Sequence, residues 1–190
     1  AKKHFTESRD ISREIIELFG KTPDNLSGVT VPLLRLGDIA IKHDKDFPQA
    51  KKHFTESLDI SREIIELFGK TPDYLHGLTV PLLRLGDIAI KHDKDVNQAK
   101  DYFTESLKIS RYLITRLGPT PDRLRNVHIL LQRLGDIAIK HGKDVKQAKK
   151  RFTESLDISR DLITRFGETP ERLKAVNLSL SRLNNITIEE

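Results

Sequence analysis

The chain has 190 residues, of which 37% are hydrophobic and 32% charged, with a formal net charge of +5. No apolar run approaches the ~20 residues that a membrane helix needs, no signal-peptide pattern opens the chain, and the absence of cysteine excludes disulfides and thiolate metal sites. What remains is a soluble, helix-rich protein for which a cytoplasmic setting is compatible; the missing methionine points to processing or to a segment of something longer.

The first element recurs. Phe5, Phe54, Phe103 and Phe152 are spaced by 49 residues, as are Gly20, Gly69, Gly118 and Gly167, and Pro23, Pro72, Pro121 and Pro170. The chain therefore divides into units 1–49, 50–98, 99–147 and 148–190 of a single array. The first two differ at six positions only: Arg9/Leu58, Asn25/Tyr74, Ser27/His76, Val29/Leu78, Phe47/Val96 and Pro48/Asn97. Basic minus acidic residues come to 8−8, 7−8, 10−5 and 8−7 for the four units, so the third carries a net charge equal to that of the whole chain.

Each unit reads as two helices. From Ala50 to Phe68, the residues Phe54, Ser57, Leu58, Ser61, Ile64, Ile65 and Phe68 fall at the spacings of three and four that mark an amphipathic helix. Gly69 stands where a left-handed C-cap is wanted. Thr71-Pro72-Asp73 then supplies an N-cap hydroxyl, a proline for the first helical position and an acid suited to the helix dipole. A second helix runs through Leu82, Leu85, Ile88 and Ala89 to about His92. Pro32 and Pro81 interrupt it in units one and two, where Leu130 and Ser179 stand later; a kink in one continuous helix is preferred over a short helix ending near Gly28 or Gly77.

The stretch Leu82-x2-Leu85-Gly86-x2-Ala89, followed by Ala99-x3-Phe103, resembles the tetratricopeptide repeat. The frame also fits Leu33, Leu36, Gly37, Ala40, Ala50 and Phe54, and again Leu134, Gly135, Ala138, Ala148 and Phe152, so the resemblance covers essentially the whole chain. Leu replaces the family's Trp and Ala its Tyr, and the period is 49 rather than 34 residues. The resemblance implies an all-α, right-handed α-solenoid of about eight antiparallel helices, with small Gly and Ala residues letting helices approach and the Phe filling the space between them. It also implies that a protein or peptide partner lies in a concave groove lined by the helix that follows each Thr-Pro turn.

Carried over by position, the groove residues are Arg35 with Asp38, Arg84 with Asp87, Arg133 with Asp136, and Arg182 with Asn185, a ladder able to read carboxylates. The plainer reading is an i,i+3 salt bridge repeated for solubility. Residues that vary between units are better candidates for recognition: Leu34, Leu83, Gln132 and Ser181, and Thr30, Thr79, His128 and Asn177. Asn25/Ser27 and Tyr74/His76 become Arg123/Arg125 and Arg172/Lys174, a basic patch suited to an acidic peptide or a phosphate-bearing ligand, or else drift on a solvated face.

Nucleic acid fits less well, because the aromatics are mostly packing phenylalanines that would not be free to stack on bases. His43, His92 and His141 with nearby aspartates offer metal donors, but stacked units are about 10 Å apart and a histidine at a helix C-terminus is explained by the dipole. No unique nucleophile, base and acid break the repeat, so neither a cofactor nor catalysis is expected. At the carboxyl end Asn184, Asn185, Thr187 and Glu189 replace Gly, Asp, Ala and Lys and read as a polar cap; the amino-terminal helix shows no such cap. The function expected is a non-catalytic protein–protein interaction scaffold. The alternative is an array that stacks head to tail through its terminal helices, Phe5 meeting the region of Ile188.

Overall fold

The computed structural model describes residues 1–189, and side chains as far as Ile186. Glu190 and the side chains of Thr187, Ile188 and Glu189, on which part of the expected polar cap falls, lie outside the described residues. The fold is an all-α helical repeat: α1 (Lys2–Phe19), α2 (Pro23–Ile39), α3 (Phe47–Phe68), α4 (Pro72–Ile88), α5 (Val96–Leu117), α6 (Pro121–Lys140), α7 (Val145–Phe166) and α8 (Pro170–Glu189). Single π turns, Ala40–Asp44 and Ala89–Asp93, extend α2 and α4.

The local signals act as their chemistry dictates. Thr22, Thr71 and Thr120 cap α2, α4 and α6, each side chain accepting the backbone N–H three residues on, with proline filling the position that lacks a helical acceptor anyway. Asp46, Asp95 and Asp144 accept the N–H of Gln49, Gln98 and Gln147 at the starts of α3, α5 and α7. These loop aspartates are therefore N-caps. Gly20, Gly69, Gly118 and Gly167 have φ between 80° and 91°. They do not adopt the left-handed helical cap expected: ψ at Gly69 is 171°, in the extended positive-φ region that only glycine occupies without strain. α2 and α4 run unbroken through Pro32 and Pro81, so the alternative of a short first helix does not form. The two helices with an internal proline are the two that end in a π turn.

The turn from each second helix to the next unit is closed by a lysine in the left-handed region: Lys45, Lys94 and Lys143, with φ of 56°, 59° and 49°. In each turn the N–H of the following aspartate reaches back to an alanine carbonyl, Asp95 to Ala89 at 2.9 Å for example. A side-chain-bearing residue held there costs about 1–2 kcal/mol, partly offset by the entropy that glycine would lose. Lys94→Gly is expected to raise stability by roughly 0.5–1 kcal/mol in urea unfolding; a loss of stability would show that the lysine makes a favourable contact stronger than the strain.

By compactness the chain divides into Ala1–Tyr102 and Phe103–Glu190, the division falling within α5. In the first unit α1 packs on α2, α2 on α3 and α3 on α4; in the second α6 packs on α7 and α7 on α8. Leu33, Leu58, Leu82 and Phe54 form the interior of the first. Phe152 with Ala148 and Ile186, flanked by Ala138 and Leu183, forms the equivalent cluster in the second. A Cβ added to Gly37 would stand 2.5 Å from the Phe54 ring, and one added to Gly135 2.4 Å from that of Phe152. The glycines are what permit this approach of second helix to following first helix.

Candidate protein-interaction surface

The helices after the Thr-Pro turns expose one face. On α2 Val31 and Arg35 are exposed while Leu34 and Asp38 are half-buried; on α4 Val80 is exposed, Arg84 and Asp87 half-buried. Val31 reaches 58% exposure although it sits between Val29 and the core residues Leu33 and Leu36, from which composition does not separate it. Only its i,i+4 relation to Arg35 marks its side of the helix.

The charge ladder forms between units rather than within one helix. Arg84 Nε lies 3.0 Å from Asp38 Oδ1, and Arg182 Nη2 lies 3.1 Å from Asp136 Oδ2, each pair 46 residues apart in sequence. Thus the expected i,i+3 pairing is replaced by bridges linking α2 to α4 and α6 to α8. Each carboxylate is about a fifth exposed and each guanidinium about a third. Bridges this wet contribute at most about 1 kcal/mol, so their main effect is to hold the planar groups in place. Arg133 is half-buried at the same register on α6. Asp136, Arg182 and Asn185 also line a cleft of about 310 Å³ floored by Ile139, Phe152 and Ile186.

Several residues expected on the groove are inside instead. Leu83, Thr79, His128 and Gln132 are buried, Gln132 at 4% exposure, whereas Ser181 and Asn177 are exposed. Gln132 Nε2 donates to Ser155 Oγ and to Ser179 Oγ, both at 2.9 Å, tying α6 to α7 and α8. Ser155 Oγ lies 2.8 Å from His128 Nδ1, and the Ser159 hydroxyl donates to the Ser155 carbonyl. Gln132 and His128 are thus a polar key within the second compact unit, at positions held by Leu83 and Thr79 in α4. A polar residue that varies between copies looks the same in sequence whether it faces water or a buried serine.

Burial holds the His128 imidazole below its ordinary value; the Ser155 backbone opposes this in part, and Arg125 adds a lesser lowering. His53, buried on α3, is lowered as well, first by burial and then by Arg9. The sign follows from linkage. The unfolded chain takes up these protons first, near pH 6.5, so stability is full above that value and falls as pH drops from it toward the folded values. His128→Thr, the residue α4 has, is expected to lessen this acid loss but not abolish it, since His53 remains. Denaturant midpoints at pH 7.5, 6 and 5 would measure the difference, and an unchanged slope would remove His128 from the account.

The basic patch also divides. Arg123 Nη1 donates to the carbonyls of Leu117 and Gly118, at 3.3 and 3.0 Å, and Arg172 Nη1 to those of Phe166 and Gly167. Asn25 does the same in the first unit, donating to the Gly20 carbonyl at 2.9 Å. This position closes the end of the preceding helix, where carbonyls lack intrahelical partners. Arg125 and Lys174 stay exposed. Arg172→Ala, which also forfeits the placement of its guanidinium 5.9 Å above the Phe166 ring, is expected to cost about 1–1.5 kcal/mol of stability in thermal or urea unfolding, and Arg125→Ala close to nothing. Equal costs would return both residues to the surface patch.

Phe54, Phe103 and Phe152 are buried as packing residues, but Phe19, Phe68 and Phe166 are exposed at helix ends, which the sequence reading did not separate. Among the described residues no three His, Cys, Asp or Glu side chains converge as metal ligands, and no helix is long and apolar enough to cross a membrane. Asp93, with Lys51 and then His92 beside it, is held below the usual carboxylate range, and Lys51 is raised by the same bond to Asp93.

No family model matches the chain, and no curated protein is similar to it. Among solved structures, the crystal structure of BtubC (BKLC) from P. vanneervenii aligns with 98% of this chain and 84% of that one, at 16% identity and a TM-score of 0.49.

Proposed function

We propose that the chain is a non-catalytic interaction scaffold of the tetratricopeptide kind, holding a peptide or protein partner against the exposed faces of α2 and α4 and, separately, of α6 and α8. The observation that carries this reading is the row formed by Val31 and Val80 beside the Asp38–Arg84 bridge. Exposed aliphatic side chains give an extended ligand apolar anchors, and the oriented guanidinium offers a carboxylate two donors. The exposed Arg125 and Lys174 add attraction for acidic ligands that salt weakens.

A displayed random-peptide library selected on the wild-type chain is the direct test. Clones that bind are expected to lose tenfold or more on Val31→Asp/Val80→Asp, and acidic clones also on Arg84→Ala. If every selected clone binds the double variant as well as wild type, the partner surface lies elsewhere.

A further inference from the structure

The turn from a second helix into the next unit occurs three times, at residues 42–53, 91–102 and 140–151, and its charge differs between them. Basic minus acidic residues come to 4−2, 3−3 and 6−1. The first two turns hold an aspartate, Asp44 or Asp93, that takes the ammonium of Lys2 or Lys51. Gly142 stands at that position in the third. There Lys146, Lys150 and Arg151 also replace the Asn97, Asp101 and Tyr102 of the second.

This third corner lies within the second compact unit, at the end of α6 and the start of α7. Lys140, Lys143, Lys146, Lys149 and Lys150 are exposed, and Arg151 is half-buried with no acceptor for its Nε among the described residues. Lys146, Lys149 and Lys150 fall three and four residues apart, which puts their charges on one face of α7, where they repel. The nearby acids are engaged otherwise. Asp144 accepts the Gln147 N–H as an N-cap, Glu154 binds Arg111, and Asp136 binds Arg182. The corner is therefore a concentration of positive charge whose neighbouring carboxylates are taken up elsewhere.

We propose that this corner binds an acidic stretch of a partner polypeptide, a run of Asp and Glu side chains wrapped from Lys140 to Lys150. The inference rests on the reading of the chain as an interaction scaffold, and it places the selectivity for acidic partners away from Arg125 and Lys174. From Arg125 to Lys140 α6 rises about 22 Å, so the two basic regions are separate contacts. Lys140 also borders the cleft of Asp136 and Arg182 on the α6–α8 face, so a polypeptide lying on that face meets the corner as it leaves.

Other polyanions fit the corner less well. A flexible acidic chain follows a turn of this kind, whereas duplex nucleic acid is stiff over far longer distances and touches it at one point. No Phe, Tyr or Trp belongs to residues 140–151, so a single strand finds no such ring within the turn on which to stack its bases.

A fluorescein-labelled hexaglutamate peptide is the probe, titrated with the full chain at low ionic strength and followed by anisotropy. Saturable binding is expected, weakened at least tenfold by Lys146→Asn/Lys150→Asp and weakened also by added salt. Those are the residues that α5 has at the same register, so the helical circular dichroism should stay as in wild type. Arg125→Ala/Lys174→Ala and Val31→Asp/Val80→Asp should each change the affinity less than twofold. The second of these controls separates two failures. Library clones that ignore Val31→Asp/Val80→Asp remove the partner surface proposed above, while hexaglutamate that ignores the α7 change removes this inference alone. Absence of saturable binding, or an equal loss on Arg125→Ala/Lys174→Ala, also overturns it. So does a DNA duplex or a phosphatidylserine vesicle that binds at least tenfold more tightly than the peptide and is weakened by the same α7 change, since another polyanion would then be the occupant.

Discussion

Phe54→Ala is expected to destabilise the first compact unit by about 3–5 kcal/mol, a large part of the 5–15 kcal/mol that holds a typical domain. The ring has no exposed surface and sits against Gly37 of α2 while belonging to α3. Glycine cannot rearrange a side chain into the space the ring leaves, so the cavity persists and its lining loses dispersion contacts. Urea unfolding followed by circular dichroism should show a lower midpoint with little change in slope. A cost below 1 kcal/mol would mean that the helices close over the gap, and the phenylalanine would then not be the residue that sets their spacing.

The complementary change is Gly135→Ala in the second unit. The added methyl would stand 2.4 Å from Cε1 of Phe152, whose ring is 1% exposed. Overpacking of this kind costs about 1–3 kcal/mol, and more when neither element can shift. Because glycine and ring share one contact, Gly135→Ala combined with Phe152→Leu should cost less than the two changes summed, a coupling that a double-mutant cycle reads directly. Strict additivity would show that the methyl is accommodated by movement of α6 as a whole.

Much of the fold was legible before any coordinates, and the parts that were share a property. Both helices of each unit and the Thr-Pro caps rest on signals spanning a few residues and repeated with the 49-residue period along the chain, while the Gly–Phe packing pair was expected from the resemblance. Positions three and four apart share a helix face by geometry alone, and a cap acts on an N–H three residues away. The loop aspartates Asp46, Asp95 and Asp144 act in the same local way, each accepting the N–H of the glutamine three residues on at a helix start.

The candidate surface was legible only in outline. Arg84 bridges Asp38 and not the Asp87 three residues on, since Asp38 is 46 residues distant in sequence and adjacent only once α2 and α4 lie side by side. Arg123 and Arg172 looked like a patch because their net charge is visible in sequence and their carbonyl acceptors, five and six residues back across a turn, are not. Gln132 and His128 looked like variable surface residues because the serines that satisfy them stand on other helices. The sequence by itself determined which segments are helical and where they begin and end, because those outcomes follow from local geometry repeated along the chain. Only the tertiary structure decided which charges pair and which polar groups are buried, because each depends on a neighbouring helix that brings together atoms far apart along the chain.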